Sequence, residues 1–129
     1  HPVSQQPVSV IGTPARIDTI GTLAELLVTH PVIVPTLESP VRAGFDALCA
    51  QWNIRPVLAA EVDDMAMMRL LAREDIGLAV MPPIVVKNEL ATVMLKEAEQ
   101  GLGLSESFYA VTAGGSAGEG DSDPVRRKV

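Results

Sequence analysis

Val32-Ile33-Val34-Pro35-Thr36-Leu37-Glu38-Ser39-Pro40-Val41 joins an unbroken β-branched triplet to a helix start, and this junction decides the fold. Three consecutive apolar β-branched residues predict a strand buried on both faces. Ser39 suits an N-cap, and Pro40 suits the first helical position, where its missing N–H leaves no bond unmade. Beyond it, Val41, Phe45, Leu48, Cys49 and Trp52 recur at helical spacing on one face, while Arg42, Asp46 and Gln51 lie away from it. The helix is expected to end near Asn53, before Pro56.

Working outward, the same alternation repeats on both sides. Upstream, Val8, Val10 and Ile11 predict a short strand closed by Gly12, and Thr13 to Ile20 predicts a loop. Thr22 then caps a short helix from Leu23 to Val28, with Glu25 in its first turn. His30-Pro31 stops this helix, and the helix dipole there is expected to favour the charged form of His30. Downstream, Val57 to Val62 predicts a strand, and Asp63-Asp64 caps a helix burying Met65, Met68, Leu71 and Ala72. Ile76 to Met81 is a third strand, ended by Pro82-Pro83. Ile84 to Leu90 predicts a short helix, Val93 to Leu95 a strand, Gly101 to Ser107 a loop and Phe108 to Thr112 a last strand. Strands alternating with helices imply right-handed parallel βαβ units. The fold class is α/β: a small, doubly wound, mostly parallel sheet with helices on both faces. Residues 113–129 are rich in Gly, Ser, Asp and Glu and are expected to form a flexible tail, since they bury too little to offset ordering.

Bulk composition narrows the function. At 129 residues, with 47% hydrophobic and 20% charged residues, the chain predicts one globular domain. Aromatics are only 3%, so Phe45, Trp52, Phe108 and Tyr109 cannot make the core alone and aliphatic residues must fill it. A net charge of -6 disfavours a phosphate backbone, and Arg126-Arg127-Lys128 is read as a solvated end. Cys49 stands alone, so no internal disulfide forms, and a reducing compartment fits. No export signal and no apolar run of roughly 20 residues is found, which points to a cytoplasmic protein without membrane contact.

Catalytic chemistry is thin. The sequence has no G-x-S-x-G elbow, no Gly-rich phosphate loop and no paired histidines, His1 and His30 each standing alone. No catalytic residue, cofactor or metal site is expected. Ligands of open α/β sheets bind beyond the carboxyl ends of the strands. Those ends are Pro35 to Ser39, Val62 to Asp64 and Met81 to Pro83. Two of them lead into helix N-termini, which can receive an anion. Equally, Ser39, Asp63 and Asp64 can serve only to cap their own helices.

Several stretches together carry a family resemblance. They are Leu23-Ala24-Glu25-Leu26-Leu27, His30-Pro31-Val32-Ile33-Val34-Pro35, Trp52-Asn53-Ile54-Arg55-Pro56, Glu61-Val62-Asp63-Asp64, and Ile76-Gly77-Leu78-Ala79-Val80-Met81-Pro82. From about Thr22 to Thr112 the chain resembles the effector-binding region of LysR-type transcription regulators, which has the fold of type 2 periplasmic binding proteins. The resemblance implies two subdomains flanking a cleft, joined by two crossing hinge strands. Most of this chain looks like the second subdomain, a partial effector-binding domain over 1–112 with hinge strands near 7–12 and 107–112. It implies a small-molecule or ion effector facing Thr36, Leu37, Glu38, Ser39, Val62, Asp63, Asp64, Met81, Pro82 and Pro83. It further implies a homodimer, and promoter DNA contact only through a helix-turn-helix outside these residues. Glu61 to Met68 and Phe108-Tyr109-Ala110-Val111 resemble the sodium/proton antiporter regulators in particular.

Two competitors stand beside this reading: a solute-binding protein of a transport system with the same fold, and a small hydrolase using Asp63 or Asp64. The expected effector sign follows from Glu38, Asp63 and Asp64, whose full charges outweigh the half charge of a helix terminus. They favour a cationic or zwitterionic effector, or an inorganic cation, over a simple dianion.

Overall fold

A computed structural model describes the chain over residues 3–109, with side-chain burial over 5–105. The first strand, β1 (Val3–Gly12), leads into a single helical turn, α1 (Pro14–Ile17), and then α2 (Leu23–Thr29). There follow β2 (Val32–Pro35), α3 (Pro40–Gln51), β3 (Leu58–Val62), α4 (Met65–Arg73) and β4 (Leu78–Met81). A 3-10 turn (Pro83–Val86) runs into α5 (Lys87–Ala91), and β5 (Lys96–Glu97) and β6 (Leu104–Tyr109) complete the described chain.

The sheet runs in the order β3-β2-β4-β1-β5, with β6 paired to β1. β2 is parallel to β3 and to β4, whereas β1 is antiparallel to β4, β5 and β6. Among the described strands, β1 alone therefore runs against the rest. Alternation along the central strands sorts the core onto two faces. Val8, Val10, Val32, Val34, Leu78 and Val80 meet α2 and α3 on one side, around Phe45 and Leu27. Ile11, Ile33, Ala79 and Met81 meet α4 on the other, around Met68 and Ala72. The α/β class and the layered, mostly parallel arrangement are those expected from the alternating pattern.

Local signals explain the helix starts. Thr22 and Glu25 form a full capping box, with Glu25 N donating to Thr22 Oγ1 and Thr22 N donating to Glu25 Oε1. Gly77 sits where β4 meets β2, and a Cβ there would lie 2.5 Å from the Pro31 carbonyl oxygen. The backbones approach so closely that Leu78 N donates to that same carbonyl at 2.9 Å, which only glycine permits.

Four expectations are corrected. The predicted loop from Thr13 to Ile20 contains α1, because Pro14 takes a first helical position after Thr13. One turn is too short to show a period. Val93 to Leu95 is no strand: Val93 adopts φ 60 and closes α5, and the strand comes later at Lys96–Glu97. Gly101 to Ser107 is not all loop, since β6 begins at Leu104. Finally, α3 is ended by Asn53 itself and not by Pro56. Asn53 takes φ 59, with Asn53 N donating to Ala50 O and Ile54 N to Cys49 O, the double bond of a Schellman stop. The expected continuation of the last strand through residues 110–112, and the tail at 113–129, lie outside the described residues.

Candidate functional site

Because β3, β2 and β4 are neighbours running the same way, their last residues, Val62, Pro35 and Met81, fall along one edge of the sheet. The connections leaving this edge are residues 36–39, 63–64 and 82–83. β1 passes the same edge in the opposite direction, with Ser9 opposite Met81. Its earlier part continues beyond the sheet and pairs antiparallel with β6, from Val3 against Tyr109 to Val8 against Leu104. A two-stranded ribbon thus leaves the sheet beside the three loops.

The residues expected at this edge are placed unevenly. Thr36 is half-buried, and its carbonyl accepts from Ser39 N at 3.0 Å. Leu37 and Glu38 are exposed. Hydrogen bonds from its own backbone amide and from Thr36 hold the Glu38 carboxyl below its usual range. Ser39 Oγ accepts from Val41 N at 3.1 Å, and Asp64 Oδ1 accepts from Ala66 N at 2.9 Å, so both residues cap their helices. Asp63 and Asp64 are exposed and Val62 is half-buried. Pro82 is buried and Pro83 half-buried. Met81 is fully buried, and its side chain packs with Ile11, Ile33 and Met68. As a cleft-facing residue Met81 is therefore corrected: alternation in β4 sends it to the face under α4. The three carboxylates of Glu38, Asp63 and Asp64 share the edge without converging, and among the described residues no group of three potential metal ligands forms.

Helical periodicity missed one residue at this edge. Arg42, assigned away from the core, is 6% exposed. Its Nη1 donates to Pro35 O at 3.0 Å and to Glu61 Oε2 at 2.9 Å, and its Nε donates to both carboxylate oxygens of Asp46 at 3.1 Å. Burial alone would lower its pKa, but its hydrogen bonds to Glu61 and Asp46 hold the guanidinium above its usual range. The i, i+4 spacing of Arg42 and Asp46 was visible; Glu61 and the Pro35 carbonyl were not.

The opposite edge carries a separate cluster. Arg16 Nε donates to Asp75 Oδ1 at 2.6 Å, Thr13 Oγ1 donates to the same oxygen at 2.9 Å, and Arg16 Nη1 lies 3.1 Å from His30 Nδ1. Burial first and the Arg16 charge second lower the His30 pKa, against the pull of Asp75. The expected charged His30 is thus corrected, because Arg16 can only donate and His30 Nδ1 must accept. Near this edge an open groove of about 450 Å³ separates the connection between α1 and α2 from residues 96–100. Its sides are bridged by Lys96 Nζ donating to Asp18 Oδ1 at 2.6 Å.

A family model described as the LysR substrate binding domain matches residues 5–118. No curated protein matches the chain. Among solved structures, the effector-binding domain of QuiR in complex with shikimate is 25% identical, with a TM-score of 0.57 over 74% of this chain and 48% of that one. The effector domain of AmpR of Pseudomonas aeruginosa is 15% identical, with a TM-score of 0.59 over 83% of this chain and 52% of that one. The bromide-bound regulatory domain of HypT from Salmonella typhimurium is 10% identical, with a TM-score of 0.63 over the same shares of 83% and 52%. The latter two likenesses concern the fold alone. The chain spans about half the length of each of these domains. No described helix is long and apolar enough to cross a membrane.

Proposed function

The chain belongs to the LysR substrate-binding domain family, and from that premise we propose that the edge formed by Thr36–Ser39, Val62–Asp64 and Pro82–Pro83 is half of an effector cleft. The observation that carries this reading is the alignment of three adjacent parallel strand ends with the N-termini of α3 and α4 beside the β1/β6 ribbon. Residues 1–112 then correspond to one lobe and its crossing strands, and the ribbon is the hinge to a second lobe. The reading is one of binding and not catalysis. Effector occupancy would be relayed to promoter DNA through a helix-turn-helix outside these residues, in a cytoplasmic homodimer.

Shikimate bound to QuiR is a carboxylate, yet the exposed charges of this half-cleft are Glu38, Asp63 and Asp64. Capping occupies Asp64, and Glu38 and Asp63 remain. We therefore favour an effector with a cationic centre, a zwitterion before a bare ion because the carboxylates are spread along the edge. The finer likeness of Glu61 to Met68 to sodium/proton antiporter regulators makes sodium one titrant among others. Calorimetry on the complete sensing region with sodium, amino acids and small dicarboxylates tests the sign, with Asp63→Asn as control. Tight dicarboxylate binding that Asp63→Asn leaves unchanged or improves would overturn it. Solute binding at the groove by Asp18 and Lys96, abolished by substitutions there and untouched by those at Asp63, would overturn the choice of edge.

A further inference from the structure

Arg42 is a buried side chain that ties α3 to two of the three strands ending at the carboxyl edge, β2 and β3. From the first turn of α3 it bonds the last carbonyl of β2 at Pro35, the Glu61 carboxylate of β3, and Asp46 one turn further along its own helix. Its place follows from register. Glu61 lies opposite Val34 in the parallel ladder, on the sheet face that α3 covers. β3 is the outer strand and is mostly exposed, with β2 as its only strand neighbour among the described residues. Little apolar burial holds β3 in place there, so a guanidinium that spans helix, inner strand and outer strand contributes a large part of the local order.

We propose that Arg42 is the positioning residue of the carboxyl edge, fixing loop Thr36–Ser39 and the end of β3 against β2. A planar fork with five donors is needed for this, because the acceptors lie on different elements. Lysine offers a point charge and can satisfy the carboxylates only in turn. The two loops carrying Glu38 and Asp63 are set at the two ends of this clamp, so their separation depends on it. That the clamp matters for effector binding rests on reading this edge as the cleft; that it orders the edge does not.

Hydrogen exchange followed by mass spectrometry on the full chain tests the inference. In Arg42→Met, the amides of Ser39, Val41 and the Ala60–Val62 segment should exchange about tenfold faster or more, while those of Leu78–Met81 in β4 stay as protected as in the wild type. Arg42→Lys should fall between the two. Acceleration spread equally over β4 would mean that Arg42 acts on global stability only, and no acceleration would mean that it holds nothing; either result overturns the proposal. Should Arg42→Met fail to fold, Glu61→Gln keeps the shape and removes one charged partner, and the Ala60–Val62 amides should again exchange faster. Unchanged exchange there overturns the proposal. Failure of every solute to protect this edge in the wild type counts against the effector cleft and leaves the Arg42 result standing.

Discussion

Arg69 on α4 donates through Nε to Oε2 of Glu89 on α5 at 2.7 Å, and the two residues differ sharply in exposure: the arginine side chain is 37% exposed and the glutamate 4%. Arg73 stands 3.7 Å from the same oxygen, and Oε1 of Glu89 is buried with no hydrogen-bond partner. Burial pushes the Glu89 carboxyl up, but the Arg69 hydrogen bond and its own amide, with both arginine charges, bring it below its usual range.

The asymmetry decides which deletion hurts more. Removing Glu89 leaves arginines that can turn to water, whereas removing Arg69 strands a buried carboxylate. Arg69→Met is expected to cost about 3 kcal/mol and Glu89→Gln about 1 to 2 kcal/mol. Denaturant melts of both variants check the order. Equal costs would mean that Arg73 swings in to replace Arg69.

Val93 closes α5 at φ 60, a left-handed conformation that β-branched residues rarely adopt. Its amide bonds Leu90 O and the next amide bonds Glu89 O, so the stop is well formed despite the residue. Val93→Gly should raise stability by about 1 kcal/mol by relieving the Cβ clash, the loss of side-chain burial being small at an exposed site. Asn53→Gly, at φ 59 after α3, should gain less, since asparagine tolerates this region. Thermal melts of the two variants would show the reverse order if Val93 packing matters more than its backbone.

What was legible in the sequence was local. Ser39-Pro40, Thr22 with Glu25, and Asp64 announce helix starts by chemistry within a few residues, and the apolar runs of β2 and β4 announce central strands. What was hidden depended on contacts distant along the chain. Arg42 looks like a surface residue on a helical wheel until β3 brings Glu61 beside it, 19 residues away. Helices that stop on Asn53, Asp75 and Val93 offer no glycine to read, so the apolar run Val93 to Leu95 resembles a strand that in fact begins at Lys96. At the candidate site the strand-end rule found the loops, but it could not tell that Met81 turns inward.

Phe45 is 1% exposed at the centre of the core between α3 and the sheet, and Ser39 caps the same helix at its first turn. Phe45→Ala should cost about 3 to 5 kcal/mol through the cavity it leaves. Ser39→Ala should cost about 1 kcal/mol through the lost bond to Val41 N. Chemical denaturation of each variant is the measurement, and a Phe45→Ala cost as small as a surface change would contradict the packing of α3.

The last prediction concerns pH. His30 sits where α2 ends, a place that by dipole alone favours its charged form. The geometry opposes this: burial of the ring disfavours its charge first, and Nδ1 faces the Arg16 guanidinium at 3.1 Å, itself anchored by Asp75 at 2.6 Å. The folded state therefore keeps His30 neutral below the pH at which the unfolded chain protonates it. Between the lowered folded pKa and the ordinary imidazole value of 6.5, the unfolded state binds more protons, so stability rises with pH across that window. The contribution is fully present above 6.5 and is lost as pH falls toward the folded value. Asp75, also held below its usual range, chiefly by Arg16, adds a second loss of the same sign only below 3.8. Urea melts between about pH 5 and 7.5 should show the slope in the wild type and a flatter profile in His30→Gln, whose amide oxygen can still accept from Arg16 without titrating. An unchanged slope in His30→Gln would assign the pH dependence to another group, and a wild-type slope of the opposite sign would mean that the dipole outweighs Arg16.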